Sequence, residues 1–184
     1  MQHFYHNIKG WSRDEYQGEL LRFIMSKYNK DSKLSICEVG VYEGRCTAMW
    51  NVQLINEGFQ YDYYAIDNFE GSSEHKRDNQ IPIYETAQSN LLPIINKINL
   101  IKSNSTSAAN KFKDETLDIV YIDASHEYEF VKEDILTWLP KIKNGGFLCG
   151  DDYHEAWQGV VKAVDEIFQN KKTIIGGTQW LVIK

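Results

Sequence analysis

The chain has 184 residues, 42% of them hydrophobic and 13% aromatic, enough for one domain with a real core and unlike a disordered polypeptide. A net charge of -6 with scattered lysines argues against a nucleic-acid backbone as partner. No stretch reaches the roughly 18 apolar residues of a membrane span and the polar, aromatic start is unlike a signal peptide, so neither membrane nor export is expected and the cytoplasm is the default.

In chain order, residues 12–28 read as a helix with Ser12 as N-cap and Tyr16, Leu20, Leu21, Phe23 and Ile24 as its apolar face. A buried strand over 34–39 precedes a helix over 45–56. A strand at 63–66 leads into a polar stretch from Asn68 to about Ile83. A helix over 85–98, a strand around Leu100 and Ile101 and a short helix over 105–112 follow. The β-branched run 117–122 reads as a strand and 128–142 as a helix. After an Asn-Gly-Gly turn comes a strand at 146–150, then a helix over 157–169. Two last strands, 172–175 and 179–183, flank Gly176-Gly177.

Apolar strands alternating with helices predict a doubly wound α/β fold, a parallel sheet covered on both faces. Gly-Gly-Thr is too short for a crossover helix, so the last strand is expected to run antiparallel to its neighbour. Of three cysteines, Cys37 and Cys149 lie in strand-like apolar runs and Cys46 begins a helix; no CxxC or Cys/His cluster suggests zinc.

In such sheets ligands bind beyond the carboxyl ends of the strands, and these ends carry the polar residues. After the first strand stands Glu38-Val39-Gly40-Val41-Tyr42-Glu43-Gly44-Arg45. Gly40 and Gly44 permit a tight turn and close approach of a ligand. A dinucleotide fingerprint requires glycine also at 42 and 45, where Tyr42 and Arg45 stand, and no Walker lysine follows. Asp67 closes the second strand as a ribose-diol acceptor or as a loop or cap residue. Asp123, with His126 three residues on, closes the fourth strand, and Asp151 and Asp152 close the fifth. Carboxylates so crowded call for protons or a cation of the Mg²⁺, Ca²⁺ or Mn²⁺ kind, unless the last pair merely caps the next helix. His154 reads as a surface residue.

At these residues the chain resembles the class I S-adenosylmethionine-dependent methyltransferases, closest to the small-molecule O-methyltransferase branch with metal-dependent sugar and antibiotic enzymes and, more distantly, catechol-type enzymes. The likeness runs from about Leu34 to Lys184 and is carried by EVGVYEGRCT (38–47), YAIDNFEGS (64–72) and VYIDASHEYEFVKEDILTWLPKIKNGGFLCGDDY (120–153). The resemblance implies a Rossmann-like, seven-stranded, mostly parallel sheet with a C-terminal antiparallel strand. It implies one methyltransferase-like domain, with 1–30 as a helical lid segment and 34–184 as the cofactor-binding core. Glu38, Gly40, Tyr42, Gly44, Asp67, Asn68, Asn104, Ser105 and Asp123 match cofactor-binding positions. Asp123, Asp151 and Asp152 match a metal site for Mg²⁺. His126 falls where the catechol-type enzymes carry the lysine that removes the acceptor proton, although Asp123 could take that proton instead. Many similar sequences carry Gly-His-Asp-Tyr where this one has Gly-Asp-Asp-Tyr at 150–153.

The implied reaction is O-methylation of a small acceptor, a sugar or phenolic hydroxyl, with S-adenosyl-L-methionine as cofactor and a second copy of the chain as one way to complete the acceptor pocket. An oxidoreductase or hydroxylase on the same scaffold and a non-catalytic nucleotide-binding module are the alternatives. The segment 69–84, with Phe4, Tyr5 and Trp11, reads as a lid or as a solvated loop; His75 within it has no assigned role.

Overall fold

A computed structural model of the chain describes residues 1–71 and 82–184. Seven strands form one sheet: β1 Lys33–Val39, β2 Gln60–Asp67, β3 Ile98–Lys102, β4 Leu117–Ile122, β5 Ile142–Gly150, β6 Thr173–Ile175 and β7 Gln179–Ile183. Their order is β3-β2-β1-β4-β5-β7-β6. The first five are parallel, and β7 lies between β5 and β6, antiparallel to both.

Alternation along the strands divides the core into two layers. Ile36, Tyr63, Ile119, Tyr121 and Cys149 face α1 (Asp14–Met25), α2 (Arg45–Glu57) and α3 (Ile83–Asn90). Cys37, Ile66, Val120, Ile122 and Leu148 face α4 (Ser105–Ala109), α5 (Tyr128–Trp138) and α6 (Gln158–Phe168). All three cysteines are buried and free. Among the described residues no helix is long and apolar enough to cross a membrane.

Two expected helices stop early, each at a proline. Helix α3 ends at Asn90, and a 3-10 helix over Leu92–Lys97 with Pro93 in its first turn leads into β3 at Ile98. Helix α5 ends at Trp138, and Leu139–Lys141, holding Pro140, turns directly into β5. A proline lacks the N–H that would continue either ladder and restricts the residue before it. β5 therefore begins before the Asn-Gly-Gly sequence, which becomes a bulge: Leu117 and Ile119 pair with Ile142 and Phe147. Helix α1 starts at Asp14, with Arg13 and not Ser12 at the cap position and no side-chain cap.

The register aligns the strand tips. Val39 pairs with Ile66 on one side and Ile122 on the other, and Ile122 pairs with Gly150. The next residues, Asp67, Gly40, Asp123 and Asp151, consequently form one row across the top of the sheet. Strand order reverses between β1 and β4, the place where an open α/β sheet opens a crevice.

Candidate active site

A cavity of about 1220 Å³ lies over that row, lined among others by Gly40, Tyr42, Asp67, Asn104, Asp123 and Trp157. Its floor is held together by the backbone. The Gly40 N–H donates to the Ile66 carbonyl at 2.9 Å, and the Asp123 N–H to that of Val39 at 2.8 Å. Gly40 has φ +96°, and a Cβ there would lie 1.8 Å from the Asp123 carbonyl oxygen. The glycine is needed for the β1 and β4 tips to meet as much as for any ligand.

Asp67 organises the β1–α2 loop. Its Oδ2 accepts the N–H groups of Val41 and Tyr42, both at 2.8 Å, and its Oδ1 that of Phe69 at 2.7 Å. Asn68 Nδ2 donates to Asn104 Oδ1 at 3.4 Å, so these two side chains form one rim. Ser105 also lines the cavity, with its hydroxyl accepting from Trp138 Nε1 at 2.8 Å. Beside it burial pushes the Asp134 carboxyl up to about 6, against the lowering effect of its hydrogen bond with Ser105.

Two expected cofactor residues are not in the lining. Glu38 shares a strand face with Leu34 and Ile36 and therefore points beneath α2, fully buried. Its Oε2 accepts from Thr47 Oγ1 at 2.6 Å and Tyr63 OH at 2.9 Å, while Oε1 has no partner. Gly44 (φ +89°) stands at the N-cap position of α2, where a Cβ would press on the Leu91 side chain at 2.9 Å. Both shape the wall from behind.

Burial raises the Glu38 carboxyl to about 7. The folded chain therefore holds this proton more tightly than the unfolded chain. That stabilisation is complete below about pH 4.5 and lost as the pH rises through about 7. Glu38→Gln removes the dependence, and thermal unfolding at pH 5 and pH 8 should show wild type losing about 2 kcal/mol relative to the variant over that interval. Parallel curves would contradict the burial of an ionisable carboxyl at this place.

The acidic cluster divides into two parts. Ligand atoms of Asp123, His126 and Asp152 all lie within 4.8 Å of one another. His126 Nε2 sits 2.7 Å from Asp152 Oδ2, and its ring stacks on Trp157 with centroids 3.9 Å apart. Burial, and then the nearby Asp151 and Asp152, hold the Asp123 carboxyl well above the usual carboxylate range, with His126 acting in the opposite sense. Asp151, expected in the metal group, lies outside this trio. Its Oδ1 accepts from Thr178 Oγ1 at 2.6 Å and the Asp152 N–H at 2.7 Å. Its Oδ2 accepts from Gln17 Nε2 at 2.9 Å and Gln179 Nε2 at 3.0 Å. These four bonds, with a longer one from the Tyr121 hydroxyl to Oδ2 at 3.4 Å, take up the lone pairs of the carboxylate.

Sequence reasoning did not single out Gln17, Trp157 or the role of Arg45. The Arg45 guanidinium clasps Asp14 (Nη2 to Oδ2, 2.8 Å) and the Ile8 carbonyl (2.9 Å), fixing the segment 9–13 along the cavity rim. Trp11 there lies 5.1 Å from the Tyr42 ring. Of the expected lid, residues 72–81, including His75, lie outside the described residues.

A crevice at the strand-order reversal, in a sheet that ends in an antiparallel C-terminal hairpin, is where doubly wound α/β proteins bind their ligands. Residues 37–153 match a family model described as a methyltransferase domain, and the chain belongs to this family, the class I S-adenosylmethionine-dependent methyltransferases. The Sinorhizobium fredii protein y4gI is 27% identical over 79 residues, 43% of this chain but 9% of its own length, so the chain matches under a tenth of that relative. Among solved structures, the O-methyltransferase NovP superposes with a TM-score of 0.68 at 16% identity, covering 99% of this chain and 79% of its own. CalS11, a TDP-rhamnose 3′-O-methyltransferase of calicheamicin biosynthesis, gives 0.57 at 14% identity, covering 89% and 77%. At these identities the likeness is one of fold.

Proposed function

We propose that the chain transfers the methyl group of S-adenosylmethionine to a hydroxyl oxygen of a small sugar or phenolic acceptor. The observation that carries this reading is the convergence of Gly40, Tyr42, Asp67, Asn68, Asn104, Ser105 and Asp123 on one cavity, with the His126–Asp152 pair in its wall. Asp67 and the Asn68–Asn104 rim would hold the nucleoside of the cofactor, and Asp123 would face its sulfonium. The sulfonium supplies an electrophilic methyl group, which leaves the protein to align and deprotonate the nucleophile.

His126 is the proposed base. Asp152 fixes its ring and favours the protonated imidazole that forms when it takes the acceptor hydrogen, and Trp157 restricts its rotation. Two carboxylates and an imidazole also fit a divalent cation of the Mg²⁺ or Mn²⁺ kind. Asp123 and Asp152 would hold it beside His126, which keeps its role as the base, and it would lower the pKa of a bound hydroxyl. The segment 1–30 is proposed as the lid over the core 34–184, its rim residues 9–13 held by Arg45. NovP and CalS11, O-methyltransferases by name, support an oxygen acceptor.

The test is transfer of labelled methyl from S-adenosylmethionine to a panel of catechols and nucleotide-linked sugars, with and without EDTA. Transfer lost in chelator and restored by Mg²⁺ is the expected result. Full activity in EDTA removes the ion and leaves His126 with Asp152. No transfer to any oxygen acceptor, with S-adenosylhomocysteine still bound, refutes the reaction.

A further inference from the structure

Gln17 belongs to α1, more than a hundred residues in sequence from the acidic cluster, and is fully buried. Its three neighbours fix which way its amide points. The Trp50 indole N–H is a donor only, and it reaches Gln17 Oε1 at 3.2 Å. Gln17 Nε2 therefore faces the other way, where it donates to the Tyr121 hydroxyl oxygen and, at 2.9 Å, to Asp151 Oδ2. With that oxygen occupied as an acceptor, the Tyr121 hydrogen is directed onward. The carboxylate oxygens of Asp123 and Asp151 each lie 3.4 Å away, long for an O–H···O bond, so the single hydrogen turns toward one acid or the other in a weak contact. Every hydrogen from Trp50 to the cluster thus points toward the acids. Trp50, Gln17 and Tyr121 are all fully buried, so no water competes for these groups, and a chain with one donor removed leaves a buried polar atom unpaired.

We infer that Gln17 is a positioning residue for methyl transfer: through Tyr121 and Asp151 it fixes the orientation of Asp123 and Asp152 and ties that orientation to the seating of the N-terminal helix. The inference rests on the methyl-transfer reading of the site. Asp151 has the same part on the opposite side, held by Thr178 and Gln179 from the C-terminal hairpin and accepting the Asp152 backbone N–H at 2.7 Å. The rim segment 9–13 continues directly into α1, so the helix that bears Gln17 also carries one edge of the cavity.

The experiment compares wild type, Gln17→Met, Tyr121→Phe and the double variant. Tyr121→Phe keeps the ring and removes one oxygen, so it reports on the chain of hydrogen bonds even if Gln17→Met folds poorly. Three quantities are read: kcat and KM for S-adenosylmethionine, the affinity for Mn²⁺ by electron paramagnetic resonance, and additivity. Each single variant should lower kcat and weaken Mn²⁺ binding by about tenfold, the usual scale for groups that orient metal-holding side chains. KM for S-adenosylmethionine should stay within about twofold, and the double variant should be no worse than the weaker single one, because both break the same chain. A merely structural role predicts lower thermal stability with kcat per folded molecule and Mn²⁺ affinity unchanged, and that result overturns the inference. Additive losses, or a loss confined to KM, overturn it as well. Wild type that methylates nothing refutes the reaction, while the Mn²⁺ titration still decides the role of Gln17. Wild type that neither binds Mn²⁺ nor transfers a methyl group refutes both.

Discussion

Asp123→Asn should lower kcat/KM for methyl transfer by at least about a hundredfold while leaving the protein as stable as wild type, or more so, at pH 8. Asp123 stands in the tip row between Gly40 and Asp151, where both a cationic sulfonium and a divalent ion would be drawn to a negative charge. Asparagine keeps the shape and removes the ionisable group that would face the sulfonium or the ion. The stability half has the opposite sign for a physical reason. Burial, with Asp151 and Asp152 beside it, holds the carboxyl above its ordinary range, so the folded state binds this proton more tightly than the unfolded state. Stability from that site is present at low pH and is lost as the pH rises beyond the ordinary carboxylate range. Once this carboxyl ionises, the wild type carries the cost of a crowded charge and the amide does not. Steady-state kinetics with thermal unfolding at pH 5 and pH 8 check both halves. A variant that is active, or one that unfolds more readily at pH 8, contradicts the placing of a strained charge at the reaction centre.

Gly40→Ala should cost more than about 3 kcal/mol of stability and abolish binding of S-adenosylhomocysteine. Two effects add. A Cβ at φ +96° is strained whatever surrounds it, and here it would meet the Asp123 carbonyl oxygen at 1.8 Å and its carbon at 2.5 Å. Those are backbone atoms of a neighbouring strand and cannot turn aside as a side chain could. The β1 and β4 tips would have to separate, taking with them the 2.8 Å bond from the Asp123 N–H to Val39. Gly145→Ala is the control, since its φ of +82° is similar but nothing lies within 4 Å of its Cβ. It should cost only about 1 kcal/mol. A loss of 3 kcal/mol in a chain of this length lowers the melting temperature by roughly 10 °C, well within calorimetric resolution. Equal melting points for the two variants would show that the strand tips do not meet at Gly40.

The tips were legible in the sequence because an acid that closes a run such as Leu-Asp-Ile-Val-Tyr-Ile has no packing reason to be there, and Asp123 does face the cavity. The sheet, its parallel part and its antiparallel end followed from alternation and from one short turn. Strand order did not, because nothing local distinguishes β7 beside β5 from β7 at the edge.

Two placements that the structure shows had usable signals. Glu38 shares parity with Leu34 and Ile36, which places it on the buried face under α2 and away from the cavity. Gln17 stands three and four residues before Leu20 and Leu21, on the apolar face of α1, where an amide needs partners. The part Asp151 takes had no such signal. Its hydrogen bonds come from residues 17, 121, 152, 178 and 179, and only the folded chain brings them together.

The most direct measurement is a crystal structure with S-adenosylhomocysteine. Its ribose should lie on Asp67, its adenine against the rim of Asn68 and Asn104, and its sulfur toward Asp123 and His126. Electron density for the nucleoside on another face of the sheet, or a cavity still vacant at saturating ligand, would mean that the aligned tips of β1, β2 and β4 serve some other chemistry.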